Sequence, residues 1–107
     1  MRIEIDIYSG RPNPGWNPTP DEEVQLRRLL RRVTAPSEAP APEDLGYRGF
    51  LVLDATDATS LGSQLRVYRG RIYSEARGAR RAWADFGGVE DWLRQQAIHH
   101  GLGDLLP

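Results

Sequence analysis

Residues 2–8 alternate polar and apolar side chains, and a segment rich in proline and glycine follows them directly. A period of two is typical of a β-strand with one buried face. The apolar positions are Ile3, Ile5 and Ile7. Prolines at positions 12, 14 and 18 then interrupt both helical and strand hydrogen bonding, so residues 9–18 are predicted to form a loop.

The first helix is predicted to begin at Pro20, a residue suited to the first helical position, and to run for about 15 residues. Thr19 precedes it as a capping residue, and Glu22 lies three residues after Thr19, which is the spacing of a capping box. The apolar stripe of this helix is Leu26, Leu29, Leu30 and Val33. These positions recur at helical spacing, and the helix is therefore expected to pack on the sheet.

Three further strands and a second helix are predicted later in the chain. The apolar run 49–53 favours a central strand beside the first one, and segments 65–68 and 71–73 favour a hairpin closed by Arg69-Gly70. The second helix carries Val89, Trp92, Leu93 and Ala97 at helical spacing and is predicted to end at Gly101.

These elements predict one α+β domain over residues 1–107. Its order is β-α-β-β-β-α, with two helices packed on one face of a four-stranded, mostly antiparallel sheet. Residues 35–45, rich in alanine and proline, are expected to form an extended connector within the domain.

Composition narrows the chemistry that is available to the chain. There is no cysteine, which excludes disulfides, thiolate zinc sites and cysteine nucleophiles. No apolar run resembles a signal peptide or a membrane span, so a cytoplasmic location without membrane contact is expected. All fourteen basic residues are arginine, a bias that indicates a GC-rich bacterial genome.

The leading site hypothesis places two loops at one edge of the sheet. An antiparallel neighbour starting near residue 48 brings Tyr47 and Arg48 to the end of the first strand, where the proline-rich loop begins. The predicted binding residues are Ser9, Arg11, Asn13, Trp16, Tyr47 and Arg48. Arginine offers a fork of donors for carboxylate or phosphate, and the aromatic rings offer contact area.

A structural alternative stays open for each of these loops. Arg11 and Asn13 can satisfy backbone carbonyls of their own loop while Trp16 closes the top of the core. Arg48 can pair with a neighbouring acid such as Asp6 or Asp44.

The chain resembles a family of small bacterial proteins. The resemblance lies in Ser9–Pro14 followed by Trp16, in Leu45–Phe50, and in Trp92-Leu93, and it spans most of the chain. It implies no particular activity.

The first functional alternative is a single-stranded nucleic-acid binder. Region 66–81 combines arginines with Tyr68 and Tyr73, and Trp83 follows it closely. A sequence pI of about 6.1 works against this hypothesis.

The second alternative is a small enzyme with a site around Asp6, Ser9, Arg11 and Tyr47, although no complete catalytic motif is present. His99 and His100 point about 100° apart on a helix, which does not suit one metal ion. The repeated Asp-Ala-Thr of residues 54–59 favours Asx turns over a cation loop.

Of these three hypotheses, the sequence favours a non-enzymatic binding or accessory domain that needs no cofactor or metal. Its partner is expected to be a protein or peptide, or a small anionic ligand. A homodimer through the C-terminal helix is a further possibility that the sequence raises. Its apolar surface would be Trp92, Ile98, Leu102, Leu105 and Leu106, unless this tail folds back on its own core.

Overall fold

A computed structural model describes residues 1–8, 10–38, 46–56, 58–74 and 81–107. The strands are β1 (Arg2–Ile5), β2 (Gly15–Trp16), β3 (Phe50–Leu53), β4 (Gln64–Tyr68), β5 (Arg71–Ser74) and β6 (Arg81–Ala84). The helices are α1 (Pro20–Arg31) and α2 (Val89–His99), and a short 3₁₀ turn follows at Gly103–Leu105. The strands form one antiparallel sheet in the order β2-β1-β3-β4-β5-β6.

The α+β class and the two helices are confirmed, but the prediction of four strands is wrong because the sheet has six. The first missed strand, β2, has two residues and lies inside the proline-rich segment, where it pairs with β1. The second, β6, follows β5 in an arginine- and alanine-rich stretch without a clear period and pairs with β5 along its whole length. Both strands are fixed by tertiary pairing rather than by local pattern.

The predicted capping box at the start of α1 and the predicted tight turn between β4 and β5 are confirmed. The Thr19 hydroxyl accepts from the Glu22 amide at 3.2 Å, and the Glu22 carboxylate accepts from the Thr19 amide at 2.8 Å, which completes the capping box. In the β4–β5 turn Arg69 and Gly70 both have positive φ, at 48° and 76°, as a two-residue type I′ turn requires. The helix α1 is shorter than expected and ends at Arg31.

Both helices pack on one face of the sheet and share a single core with it. The fully buried strand residues are Ile3, Ile5, Phe50, Val52, Leu65, Val67 and Ile72. The helices contribute Leu26, Leu30, Val89, Leu93 and Ala97. Leu102, Leu105 and Leu106 pack against this core, so the C-terminal tail covers apolar surface of its own domain, while Ile98 stays exposed.

The outer edge of β6 is covered by the start of the proline-rich connector. The Ser37 amide donates to the Ala82 carbonyl at 3.0 Å, and the Ala84 amide donates to the Ala35 carbonyl at 2.9 Å. Pro36 lies opposite Trp83 in an isolated bridge. The described part of the connector is therefore extended and paired, whereas its residues 39–45 lie outside the described residues.

No helix in the described ranges combines the length and apolar character needed to cross a membrane.

Candidate binding site at the strand ends

The two loops singled out from the sequence meet at one end of the sheet. Because β1 and β3 are antiparallel, the end of β1 lies beside the start of β3. The Arg48 amide donates to the Asp6 carbonyl at 2.8 Å, and the Asp6 amide donates to the Gly49 carbonyl at 2.9 Å. A Cβ at Gly49 would lie 2.3 Å from the Val67 carbonyl oxygen, so this close approach requires glycine.

Asp6 is the centre of a group of polar side chains that we call the strand-end cluster: Asp6, Asn13, Arg48 and Arg66. Asp6 is only 4% exposed, and its Oδ2 lies 2.6 Å from Arg66 Nη1. Its Oδ1 receives two longer contacts, from Arg48 Nη2 at 3.4 Å and from Asn13 Nδ2 at 3.3 Å. Arg66 therefore provides the short ion pair to this buried carboxylate, and Arg48 a looser one.

Asn13 connects the proline-rich loop to the cluster. Its Oδ1 accepts from the Ile7 amide at 3.2 Å and from the Tyr8 amide at 3.1 Å. These two bonds fix the amide plane and direct Nδ2 toward Asp6. The Asn13 side chain thus accepts hydrogen bonds from two backbone amides. The structural alternative instead predicts that it donates to backbone carbonyls of its own loop.

Two arginines of this site keep unused donor capacity. The Arg48 side chain is 39% exposed and has no carboxylate partner other than Asp6 within the described ranges. Arg11 is exposed, and its guanidinium carbon lies 3.8 Å from the centre of the Tyr8 ring. A guanidinium stacked in this way keeps its N–H edge available to an acceptor.

Tyr47 anchors the second loop to helix α2. Its hydroxyl donates to the Glu90 carboxylate at 3.1 Å, and the Arg94 guanidinium lies 5.6 Å from its ring centre. Burial, together with the nearby Glu90 charge, raises the pKa of Tyr47 well above its ordinary value. Tyr47 therefore remains a neutral phenol at physiological pH and positions the loop that carries Arg48.

The structure places Trp16 in the core and not on the predicted binding edge. Its side chain is 6% exposed, since the β2 pairing turns it inward against Phe50, with ring centres 6.4 Å apart. It also stacks on His100 at 5.4 Å, and His100 in turn contacts the Glu22 carboxylate at 3.2 Å. Trp16 thus closes the top of the core, as the structural alternative predicts. Ser9, the remaining predicted binding residue, lies outside the described residues.

Burial would raise the pKa of Glu22, but hydrogen bonds from the Thr19 amide and from His100 lower it below its ordinary value. The two residues join the start of α1 to the end of α2. Sequence spacing gave no sign of this contact, because the residues are 78 positions apart.

The arginine-rich region offers little of what single-stranded nucleic acid needs. Tyr68, Tyr73 and Trp83 are all buried, so their rings cannot stack on bases. Arg66 is bound to Asp6, and Arg77 and Arg80 lie outside the described residues. The observed arrangement therefore works against the nucleic-acid hypothesis.

The described residues also give little support to a catalytic or metal site. Asp6 is held by arginines and Tyr47 by Glu90, so neither is poised as a base. No group of three His, Cys, Asp or Glu side chains that could hold a metal ion occurs in the described part of the chain. Asp54 accepts from the Thr56 amide at 3.2 Å, which confirms the Asx turn predicted there, and Asp57 is not among the described residues.

Comparisons with protein-family models, with curated proteins and with solved structures give no match. The resemblance to a family of small bacterial proteins therefore stays a prediction.

Proposed function

We propose that this chain is a non-enzymatic binding domain that holds carboxylate groups of a partner protein or peptide at the strand-end cluster. One observation supports the proposal most directly. The Arg48 guanidinium is partly exposed beside a buried carboxylate that Arg66 already engages at 2.6 Å.

The chemistry follows from the number of donors. A guanidinium carries five N–H donors in a rigid fork, and Arg48 places one of its nitrogens 3.4 Å from Asp6. The remaining donors match the two oxygens of an incoming carboxylate. Because Arg66 holds Asp6 independently, Arg48 can turn toward a partner without leaving that buried carboxylate without an ion pair.

Arg11 supplies a second cation at the same end of the sheet. Tyr8, whose ring lies under the guanidinium, follows β1 closely, and Asn13 ties the loop of Arg11 to Asp6. The loop also contains Pro12 and Pro14, which reduce the entropy lost when it is ordered by a ligand. Together Arg11 and Arg48 define a cationic edge with aromatic support.

The proposal is tested by NMR titration with two defined probes, sodium succinate and a hexaglutamate peptide, at constant ionic strength. The signals followed are the Arg side-chain Nε–H groups and the Asn13 side-chain amide. The compared proteins are the wild type, Arg48→Ala, and Arg31→Ala as a control of equal charge on the exposed side of α1.

We expect saturable shifts of Arg48 and Asn13 in the wild type and in Arg31→Ala. Loss of one charge-assisted contact predicts affinity for hexaglutamate about tenfold or more weaker in Arg48→Ala. If both arginine variants bind equally, or if the shifts do not saturate, the strand-end cluster is not a carboxylate site.

A further inference from the structure

Phe86 is the most exposed large apolar side chain among the described residues, at 88%. It lies in the turn that joins β6 to α2, directly before Gly87-Gly88. Single exposed apolar side chains are common, so exposure alone assigns no role. Two further observations support a role for Phe86: the hydrogen bonds around its turn, and its location at the same end of the sheet as the strand-end cluster.

The residues that flank the Phe86-Gly87-Gly88 segment are hydrogen-bonded. The Asp85 amide donates to the Gly70 carbonyl at 2.8 Å. The Asp85 carboxylate accepts from the Val89 and Glu90 amides at 2.8 and 2.9 Å, which caps the start of α2. Phe86 is therefore displayed from a short turn whose two ends are fixed, which limits the backbone entropy that is lost when a partner buries it.

Phe86 lies at the same end of the sheet as the strand-end cluster. The end of β1, the start of β3, the β4–β5 turn and the end of β6 follow one another in strand order. Arg48 precedes β3 and Phe86 follows β6, so three strand spacings separate them. At about 4.8 Å per spacing this is about 14 Å, which about four residues of extended chain can span.

We propose that the partner presents an extended acidic peptide segment whose carboxylate binds Arg48 and whose large apolar residue, about four positions away, packs on Phe86. This inference rests on the proposed function and specifies its partner. An acidic segment is complementary to the charge of Arg11 and Arg48, and an apolar residue removes the exposed ring from water. A small anionic ligand would reach the arginines but not Phe86.

The probes are synthetic twelve-residue peptides, labelled at one end, that contain two adjacent glutamates in a Gly/Ser background. Three of them carry a leucine two, four or eight positions after the glutamates, and a fourth carries serine in its place. Fluorescence polarisation measures their affinity for the wild type, Phe86→Ala, Arg48→Ala and Val24→Ala. Val24 is the matched control because it is another exposed apolar residue, located on α1.

We expect the four-residue spacing to bind the wild type about fivefold to tenfold more tightly than the serine peptide, a gain typical of one well-buried anchor residue. Phe86→Ala should abolish that gain and keep the weaker carboxylate-dependent binding, while Val24→Ala should change neither. Thermal melting of each variant verifies that all of them fold alike.

Two failures are distinguishable. If Arg48→Ala weakens every peptide equally and leucine or its spacing has no effect, the inference about Phe86 is wrong while the carboxylate site stands. If no peptide responds to Arg48→Ala, the proposed function fails and the inference fails with it.

Discussion

Two buried aspartates lie at opposite ends of the sheet, each directly after a strand, and they are stabilised in different ways. Asp54 follows β3 and is held mainly by Thr56, two residues further on, at 2.7 Å from the hydroxyl. Asp6 follows β1 and is held by Arg66, which is 60 residues away, and by Arg48. The Asp54 end is closed by its own turn, whereas the Asp6 end depends on chain segments that meet only in the folded protein.

This difference shows where the molecule can accept a partner. A locally bonded carboxylate needs few cations, and Asp54 has one further contact, with Arg27 at 3.5 Å. Asp6 has two arginines around one negative charge, and the weaker of the two is partly exposed. Of the arginines that contact these two aspartates, Arg48 is the most exposed, at 39% against 22% for Arg27 and 11% for Arg66.

The largest effect is expected from Asp6→Asn, which removes the charge that Arg66 and Arg48 share. Breaking a buried ion pair costs about 3–5 kcal/mol, so the free energy of unfolding should fall by about that amount. Urea denaturation measures it, with Asp104→Asn as the control at an exposed acid. A loss below about 1 kcal/mol would mean that the strand-end cluster does not stabilise the fold.

Asp54→Asn should destabilise the protein less, by about 1 kcal/mol. The amide oxygen of asparagine can still accept from the Thr56 amide and hydroxyl, and Arg27 keeps its contact with Glu23 at 3.5 Å. The same urea experiment compares the two variants directly. An equal or larger loss than for Asp6→Asn would reverse the comparison between the two ends.

Acid should remove part of the stability contributed by Asp54. Burial alone would raise the pKa of Asp54, but bonds from Thr56 and the charge of Arg27 lower it below the ordinary value of 3.8. Because the pKa of Asp54 is lower in the folded than in the unfolded state, its ionised carboxylate stabilises the protein at pH values above 3.8. This stabilisation is lost as the pH falls toward the pKa of the folded state. The stability difference between wild type and Asp54→Asn should therefore shrink between about pH 5 and pH 3. A constant difference over that range would show that the charge of Asp54 contributes nothing.

The smallest effect on stability is expected for Arg48→Ala. Its contact with Asp6 is long and its side chain is partly exposed, so the free energy of unfolding should change by about 0.5 kcal/mol or less. Thermal and urea unfolding check this. A loss as large as that of Asp6→Asn would make Arg48 a structural residue and would weaken the proposed site.

Much of the fold follows from short stretches of sequence. The capping box, the hairpin at Arg69-Gly70 and the Asx turn at Asp54 each depend on residues within four positions of one another. The strands β2 and β6 do not, because their pairing partners rather than their composition fix them. The meeting of the loop after β1 with the loop before β3 was predictable from antiparallel strand pairing alone.

The candidate site was predictable only in part, for the same physical reason. Arg48 beside Asp6 follows from the pairing of β1 with β3, but Arg66 looked like part of a basic patch. Its place between buried Leu65 and Val67 was the available sign that it faces the other side of the sheet. Trp16 was misplaced because an aromatic ring after a loop suits a binding surface and a core equally well.

The pairing of residues 35–37 along β6 has a consequence for self-recognition. An uncovered outer strand is a template on which other copies of a chain can add their own strands. Here residues 35–37 of the proline-containing connector pair with the outer edge of β6. The Ala82 carbonyl and the Ala84 amide are therefore already hydrogen-bonded. Substitutions that break the pairing of residues 35–37 with β6 should therefore cause concentration-dependent aggregation, even where the packing of the core is unchanged.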